Sequence, residues 1–99
     1  MTNQIQFINM KDDSRIEKFV QVRLEKLEKR FNWIISARVF LKIDKFPDER
    51  NKLCEVELSV PGPNLFSKSN ETTFEEAIDN TFDELERQLK KHKAKMYAR

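Results

Sequence analysis

Cysteine, histidine and glycine each occur once in this chain of 99 residues. The single cysteine, Cys54, excludes an intrachain disulfide and any metal site built on a cysteine cluster. A His-based catalytic triad has only His92 to work with, and a zinc site would need carboxylates for most of its ligands. Gly62 alone cannot make a glycine-rich phosphate loop, in which several bare Cα atoms let the backbone approach the phosphate. No run of 18 apolar residues is present, so no membrane span is expected. The amino terminus, Met1 to Asp13, has no basic region followed by an apolar one, so no secretory signal is expected. The expectation is a cytoplasmic protein that is not an enzyme. It needs no metal or cofactor, and takes neither a membrane nor a small-molecule substrate as partner.

What the chain does have is charge. Charged residues make up 36% and hydrophobic residues 38%, with a net charge of +2. Eight Phe and one Trp provide core material that disordered chains lack. The length fits a single domain over residues 1–99. The small net charge hides a sharp polarity. From Glu71 to Glu86 there are seven acids and no base; from Arg87 to Arg99 there are six bases and no acid. One region is therefore far more basic than the whole.

Hydrophobic periodicity gives the elements. Residues 4–10 alternate, with Ile5 and Phe7 on one face of a short strand. Ser14 and Glu17 match a capping box. Ile16, Phe19, Val20, Leu24, Leu27 and Phe31 then form one apolar stripe on a helix over 14–32. Residues 37–46 alternate again, with Ala37, Val39, Leu41 and Ile43 opposed to Arg38, Phe40, Lys42 and Asp44; Pro47-Asp48 begins a loop. Residues 53–60 set Cys54, Val56, Leu58 and Val60 against Leu53, Glu55, Glu57 and Ser59. Pro61-Gly62-Pro63-Asn64 signals a turn, and 65–70 a shorter strand. Thr72 and Thr73 are candidate caps for a second helix over 74–95, marked by Phe74, Ile78, Phe82, Leu85 and Leu89. The order is β-α-β-β-β-α. A helix between the first two strands allows them to lie parallel, and short loops make the later strands antiparallel. This predicts an α+β fold, a four-stranded mixed sheet with both helices packed on one face.

The helix charges are sorted. In the first helix Arg23, Lys26 and Arg30 lie beside the apolar stripe, with Lys18 and Lys29 further round; Glu17, Glu25 and Glu28 take the opposite flank. In the second, Arg87, Lys91 and Lys95 stand at i, i+4 and i+8. Acids early and bases late complement the helix dipole. Lys90, Lys91, Lys93 and Lys95 are nevertheless more cations than a helix terminus needs, and like charges at i, i+4 repel. A polyanion relieves that repulsion, so basic flanks on neighbouring helices predict a groove for nucleic-acid phosphates. Cys54 reads as a small core residue, and His92, on the edge of the apolar stripe, as a packing or phosphate-contact residue rather than a catalytic one. Outward Phe40 and Phe66, among Arg38, Lys42 and Lys68, leave two other readings open: base stacking on the sheet, or a protein–protein adaptor surface.

The stretch Arg23-Leu24-Glu25-Lys26-Leu27-Glu28-Lys29-Arg30-Phe31, and above all Ala77-Ile78-Asp79 followed by Leu85-Glu86-Arg87-Gln88-Leu89-Lys90-Lys91-His92-Lys93, resembles the ribosome hibernation promoting factor family, which includes protein Y. The resemblance runs over essentially the whole chain. It implies a fold like that of double-stranded RNA-binding domains, and docking in the small ribosomal subunit over the tRNA and mRNA sites, where translation is blocked. Family basic positions map onto Arg23, Lys26, Lys29, Arg87, Lys91, Lys93 and Lys95. With Arg30 and Lys90 added from the helix flanks, these are the expected rRNA-binding residues. Two segments depart from the family: Thr73-Phe74-Glu75 stands for Asp-Met-Tyr, and Glu84 for a lysine. A chain ending at Arg99 is expected to be a short form and a monomer when free. A general double-stranded RNA binder remains a further alternative.

Overall fold

The inner face of the sheet is set by period-2 alternation in its two middle strands. β2 (Ser36–Ile43) and β3 (Lys52–Ser59) turn Ala37, Val39, Leu41, Cys54, Val56 and Leu58 to one side. All six are completely shielded from solvent. The computed structural model describes residues 1–44 and 49–97. β1 (Thr2–Ile8) pairs with β2 in parallel, β2 with β3 and β3 with β4 (Leu65–Glu71) antiparallel, giving the order β1-β2-β3-β4. The register puts Ile5 beside Val39, Val39 opposite Val56, and Val56 opposite Ser67, a rung crossing all four strands on the core side.

Two helices cover that side. α1 (Ser14–Arg30) buries Ile16, Val20, Leu24 and Leu27, and Phe31 just beyond its end is buried too. α2 (Phe74–Tyr97) buries Phe74, Ala77, Ile78, Thr81, Phe82, Leu85 and Leu89. These residues form one cluster with the inner face of β2 and β3. The β-α-β-β-β-α mixed sheet with both helices on one face is the architecture the periodicity predicts. Thr81 fits this apolar face because its hydroxyl donates to the Ala77 carbonyl at 2.7 Å and lies 3.3 Å from the Cys54 carbonyl. The buried oxygen is thereby satisfied and helix is tied to strand.

Boundaries and caps differ in detail. β1 begins at Thr2 and stops at Ile8, because Asn9 takes a left-handed φ of 56° that turns the chain out of the ladder. Asp13, not Ser14, caps α1: its carboxylate accepts from the amides of Arg15 and Ile16 at 2.9 and 3.3 Å. Its carbonyl takes the Glu17 amide. A carboxylate one residue earlier outcompetes the serine hydroxyl because it reaches two amides and complements the helix dipole. α1 ends at Arg30 rather than 32, and α2 continues to Tyr97 rather than 95. At α2 the cap is Thr73, whose Oγ1 accepts the Glu76 amide at 3.1 Å; the Thr72 hydroxyl instead faces the Glu76 carboxylate at 3.5 Å. Ile43, expected on the core face, is 42% exposed at the strand's end. The expected continuation of β2 through Lys45 and Phe46, and the Pro47-Asp48 loop, lie outside the described residues.

Two tests follow from the core. Phe82→Ala removes a ring with no solvent exposure, a truncation that costs ~3–5 kcal/mol. The melting temperature should fall by more than about 10 °C; a drop of a degree or two would mean the ring is not where α2 meets the sheet. Burial pushes the Cys54 thiol from 9.0 up to about 12. Above pH 9 the unfolded chain loses this proton while the folded chain keeps it, so stability should decline with rising pH from about 9 towards 12. Cys54→Ala should flatten that part of a stability-against-pH curve. Alkylation of the wild-type thiol should require unfolding.

Candidate nucleic-acid interface

The two helices run in the same direction. Ion pairs between them advance together: Arg23 reaches Asp79 at 2.6 Å and Asp83 at 3.0 Å, and Arg30 reaches Glu86 at 3.0 Å. The carboxyl-terminal ends of both helices therefore lie at the same end of the molecule, and the bases concentrate there. α2 is the longer, with 24 residues against 17. Its ridge facing α1 carries Asp79, Asp83 and Glu86 alongside α1. Past the last residue of α1, the same ridge carries Lys90, Lys93, Ala94 and Tyr97. Those four residues, with Arg30 and Phe31, line an open cleft of about 490 Å³.

The expected site residues separate into three groups. Arg23 is half-buried over the Phe82 ring, with its side chain 19% exposed and both guanidinium arms held by aspartates. It works as a clamp between the helices. Arg30 and Arg87 are also ion-paired, Arg30 across to α2 and Arg87 within it to Glu84. Lys26, Lys29, Lys90, Lys91, Lys93 and Lys95 are exposed and make no ion pair among the described residues. These are the cations free to meet an external anion. Lys90 and Lys93 line the cleft, whereas Arg87, Lys91 and Lys95 stand about a third of a turn round α2, on its outward side. Lys26 joins Arg15, Lys18, Phe19, Val22, Arg23 and Asp79 around a second depression of about 440 Å³ nearer the start of α1.

The far end of α2 is held in place although α1 has stopped. His92 Nε2 makes a 2.7 Å hydrogen bond with the Pro61 carbonyl, in the turn where Gly62 takes φ 95°. Its ring lies against Trp33 at 5.5 Å, and Trp33 meets Phe31 edge-on at 5.9 Å. This aromatic chain explains His92 as a packing residue. One turn earlier, Gln88 donates to the Phe66 carbonyl at 3.0 Å. Charge sorting in the sequence did not single out the pairing of Arg23 with Asp79 and Asp83, a long-range contact, nor Tyr97. The spacing of Lys90, Lys93 and Tyr97 at i, i+3 and i+7 was the available signal for the latter.

The outer sheet face is less open to a polyanion. Phe40 sits under the Arg38 guanidinium, 5.4 Å from its ring centroid, and Phe66 is 51% exposed. Glu55 lies opposite Phe40, and Glu57 opposite both Arg38 and Phe66. Arg38 reaches Glu57 at 3.7 Å. Acids therefore stand between the two rings. Among the described residues no cluster of His, Cys, Asp or Glu has metal-binding geometry, and no helix is long and apolar enough to cross a membrane.

Comparison with known proteins identifies what the architecture is shared with. Residues 3–97 match a family model described as sigma 54 modulation protein / S30EA ribosomal protein. A ribosome hibernation promotion factor of Deinococcus radiodurans is 33% identical over 88 residues, which are 88% of this chain and 46% of that protein. The chain thus spans about half of that relative. A ribosome hibernation promoting factor of Escherichia coli is 31% identical over 88 residues, covering 89% of this chain and 88% of the relative. Among solved structures, a ribosomal subunit interface protein from Coxiella burnetii has a TM-score of 0.83 at 17% identity, over 95% of this chain and 99% of that one. The N-terminal domain of Thermus thermophilus Protein Y has a TM-score of 0.75 at 23% identity, over 93% and 99%. At these identities the structures speak for the fold.

The grouping of cations is testable by stability alone. Arg23→Gln breaks two ion pairs to half-exposed aspartates and leaves Asp79 and Asp83 as like charges one turn apart. A cost of about 1 kcal/mol is expected, seen as a drop of roughly 4–8 °C in melting temperature. Lys90→Gln with Lys93→Gln breaks no ion pair and should hold or slightly raise the melting temperature. Equal losses from both variants would mean that the two groups are not distinct.

Proposed function

The chain belongs to the family of sigma 54 modulation proteins and S30EA ribosomal proteins, and from that premise we propose that it is a ribosome-binding inhibitor of translation. Its relatives bear the name of ribosome hibernation promoting factors. The observation that carries the reading is the set of lysines that make no ion pair among the described residues, most of them towards the carboxyl-terminal ends of two parallel helices. In this reading the protein docks in the decoding channel of the small subunit. Lys26, Lys29, Lys90, Lys91, Lys93 and Lys95 meet rRNA phosphates, with Arg87 exchanging its contact to Glu84 for a phosphate. Arg23 and Arg30 hold the two helices at the spacing that presents them.

The mechanism is occupancy. The bound protein covers the path of mRNA and tRNA, breaks no covalent bond, and acts in a stressed or stationary cell near one copy per ribosome. Phosphate contacts release counterions, so binding must weaken with salt. A general preference for RNA duplexes and an adaptor role for the outer sheet face are the rivals.

Cosedimentation with purified small subunits across a salt series separates them. Binding should fall with a log–log slope of roughly −0.7 to −0.9 per phosphate contact. Arg87→Glu with Lys91→Glu, both on the exposed side of α2, should leave the fold intact and weaken binding at least tenfold. Salt-insensitive binding, or a folded double variant that binds as before, would remove the electrostatic account. Equal affinity for any RNA duplex would favour the general binder.

A further inference from the structure

We propose that the cleft at the free end of α2 is a nucleotide subsite, in which Tyr97 stacks on an unpaired RNA base while Lys90 and Lys93 hold its flanking phosphates. The inference deepens the RNA-binding reading above and rests on it. A basic surface alone calls for phosphate contact anywhere along a duplex. This cleft carries something more specific.

Tyr97 is 71% exposed, the most open of the large apolar or aromatic side chains among the described residues. It stands on the same ridge as Lys90, Lys93 and Ala94. Along α1 this ridge is occupied by ion pairs to Arg23 and Arg30. Beyond Arg30 it faces no helix, so the aromatic ring and two lysines border open space. The floor is Phe31, which is buried, with the Arg30 guanidinium 5.3 Å over its ring. The wall is rigid, because Phe31, Trp33, His92 and Pro61 form a continuous chain of contacts behind it. The volume of about 490 Å³ falls within the ~300–1,000 Å³ of small-ligand clefts.

The chemistry of the lining selects the occupant. One planar aromatic surface and two lysines suit a ligand that is aromatic in one part and anionic in the next. A nucleotide has both. A paired base offers only its edge, so the stacking contact needs a base that is bulged, looped or single-stranded. Stacking on an aromatic side chain tolerates any base, since each has a π face. The subsite therefore reads whether a nucleotide is unpaired, and not which nucleotide it is. A free nucleotide shares this chemistry; the rest of the basic end, which lies outside the cleft, favours a polymer that continues past it.

The test compares two short RNA hairpins, one fully paired and one with a single bulged 2-aminopurine. Wild-type protein should bind the bulged hairpin more tightly and quench its fluorescence. Tyr97→Ala should lose the preference, by about 5- to 150-fold, the span that ~1–3 kcal/mol per stacked base gives. Tyr97→Phe should keep both preference and quenching, because the ring and not the hydroxyl makes the contact. Lys90→Gln with Lys93→Gln should weaken both hairpins and flatten the salt dependence, while retaining a preference for the bulge. Circular dichroism checks that each variant is folded.

The outcomes are separable. If wild-type protein binds neither RNA nor small subunits, the RNA-binding reading fails. If it binds both hairpins alike, or if Tyr97→Ala binds as wild type, only the nucleotide subsite is overturned. ATP that binds the cleft as tightly as the bulged hairpin, and in a Tyr97-dependent way, would assign it to free nucleotides and overturn the RNA occupant.

Discussion

The structure depends on one face of one sheet being buried by two helices that must run the same way. β1 is parallel to β2, and two antiparallel steps bring β4 back to the direction of β1. Each helix follows one of these two strands and returns across the sheet to the opposite end. The apolar stripes of α1 and α2 commit both to the same side, where Leu24, Leu85, Val39 and Val56 meet without solvent. Parallel helices on one face turn both carboxyl-terminal dipole ends towards the same end of the molecule. Cations in the last turn of each helix, Lys29 and Arg30 in α1 and Lys95 in α2, complement those ends. Lys90, Lys91 and Lys93 precede the last turn of α2, and these cations beyond the dipole's need are what the functional reading uses.

Charge along the inter-helix ridge changes sign where α1 ends. Asp79, Asp83 and Glu86 neutralise Arg23 and Arg30 while the helices run side by side. Lys90 and Lys93 follow as soon as no partner helix is present. A ridge that stayed acidic would place negative charge at the negative end of a helix. A ridge that turned apolar would leave an unpartnered hydrophobic strip. Basic residues meet both constraints and leave a positive surface whose support comes from elsewhere, through His92 to Pro61 and Trp33.

The fold was legible in the sequence because its signals are local and periodic. Alternation at Val39-Leu41 and at Cys54-Val56-Leu58, and the 3.6-residue stripe from Phe74 to Leu89, depend only on which side of an element meets the core. Where the reading missed, a competing interaction of greater strength or longer range decides. Asp13 takes the cap from Ser14 because an ionised acceptor outweighs a neutral one at a helix amino terminus. Ile43 keeps the strand's alternation yet is exposed, because a residue at the end of the strand has fewer neighbours to cover it. Arg23 reads as one more base on a basic flank. Its restraint by two aspartates 56 and 60 residues away in sequence requires the helices to be docked first. The basic character of the site was therefore visible from spacing, while the division into bound and free cations was not.

The distribution of acids argues for the helix end rather than the sheet as the surface for a polyanion. Both faces hold cations and aromatics, and composition does not separate them. On the sheet, Glu55 and Glu57 occupy the central strand between Phe40 and Phe66, and Arg38 is shared between Glu57 and the Phe40 ring. A phosphate approaching either ring there meets a carboxylate within one strand spacing, about 4.8 Å. From Arg87 to Arg99 the sequence carries no acid, and Glu86 itself is neutralised by Arg30. An approaching phosphate meets lysines whose mutual repulsion it lowers. Association there relieves strain already present in the free protein, whereas association at the sheet would first have to break the Arg38–Glu57 contact.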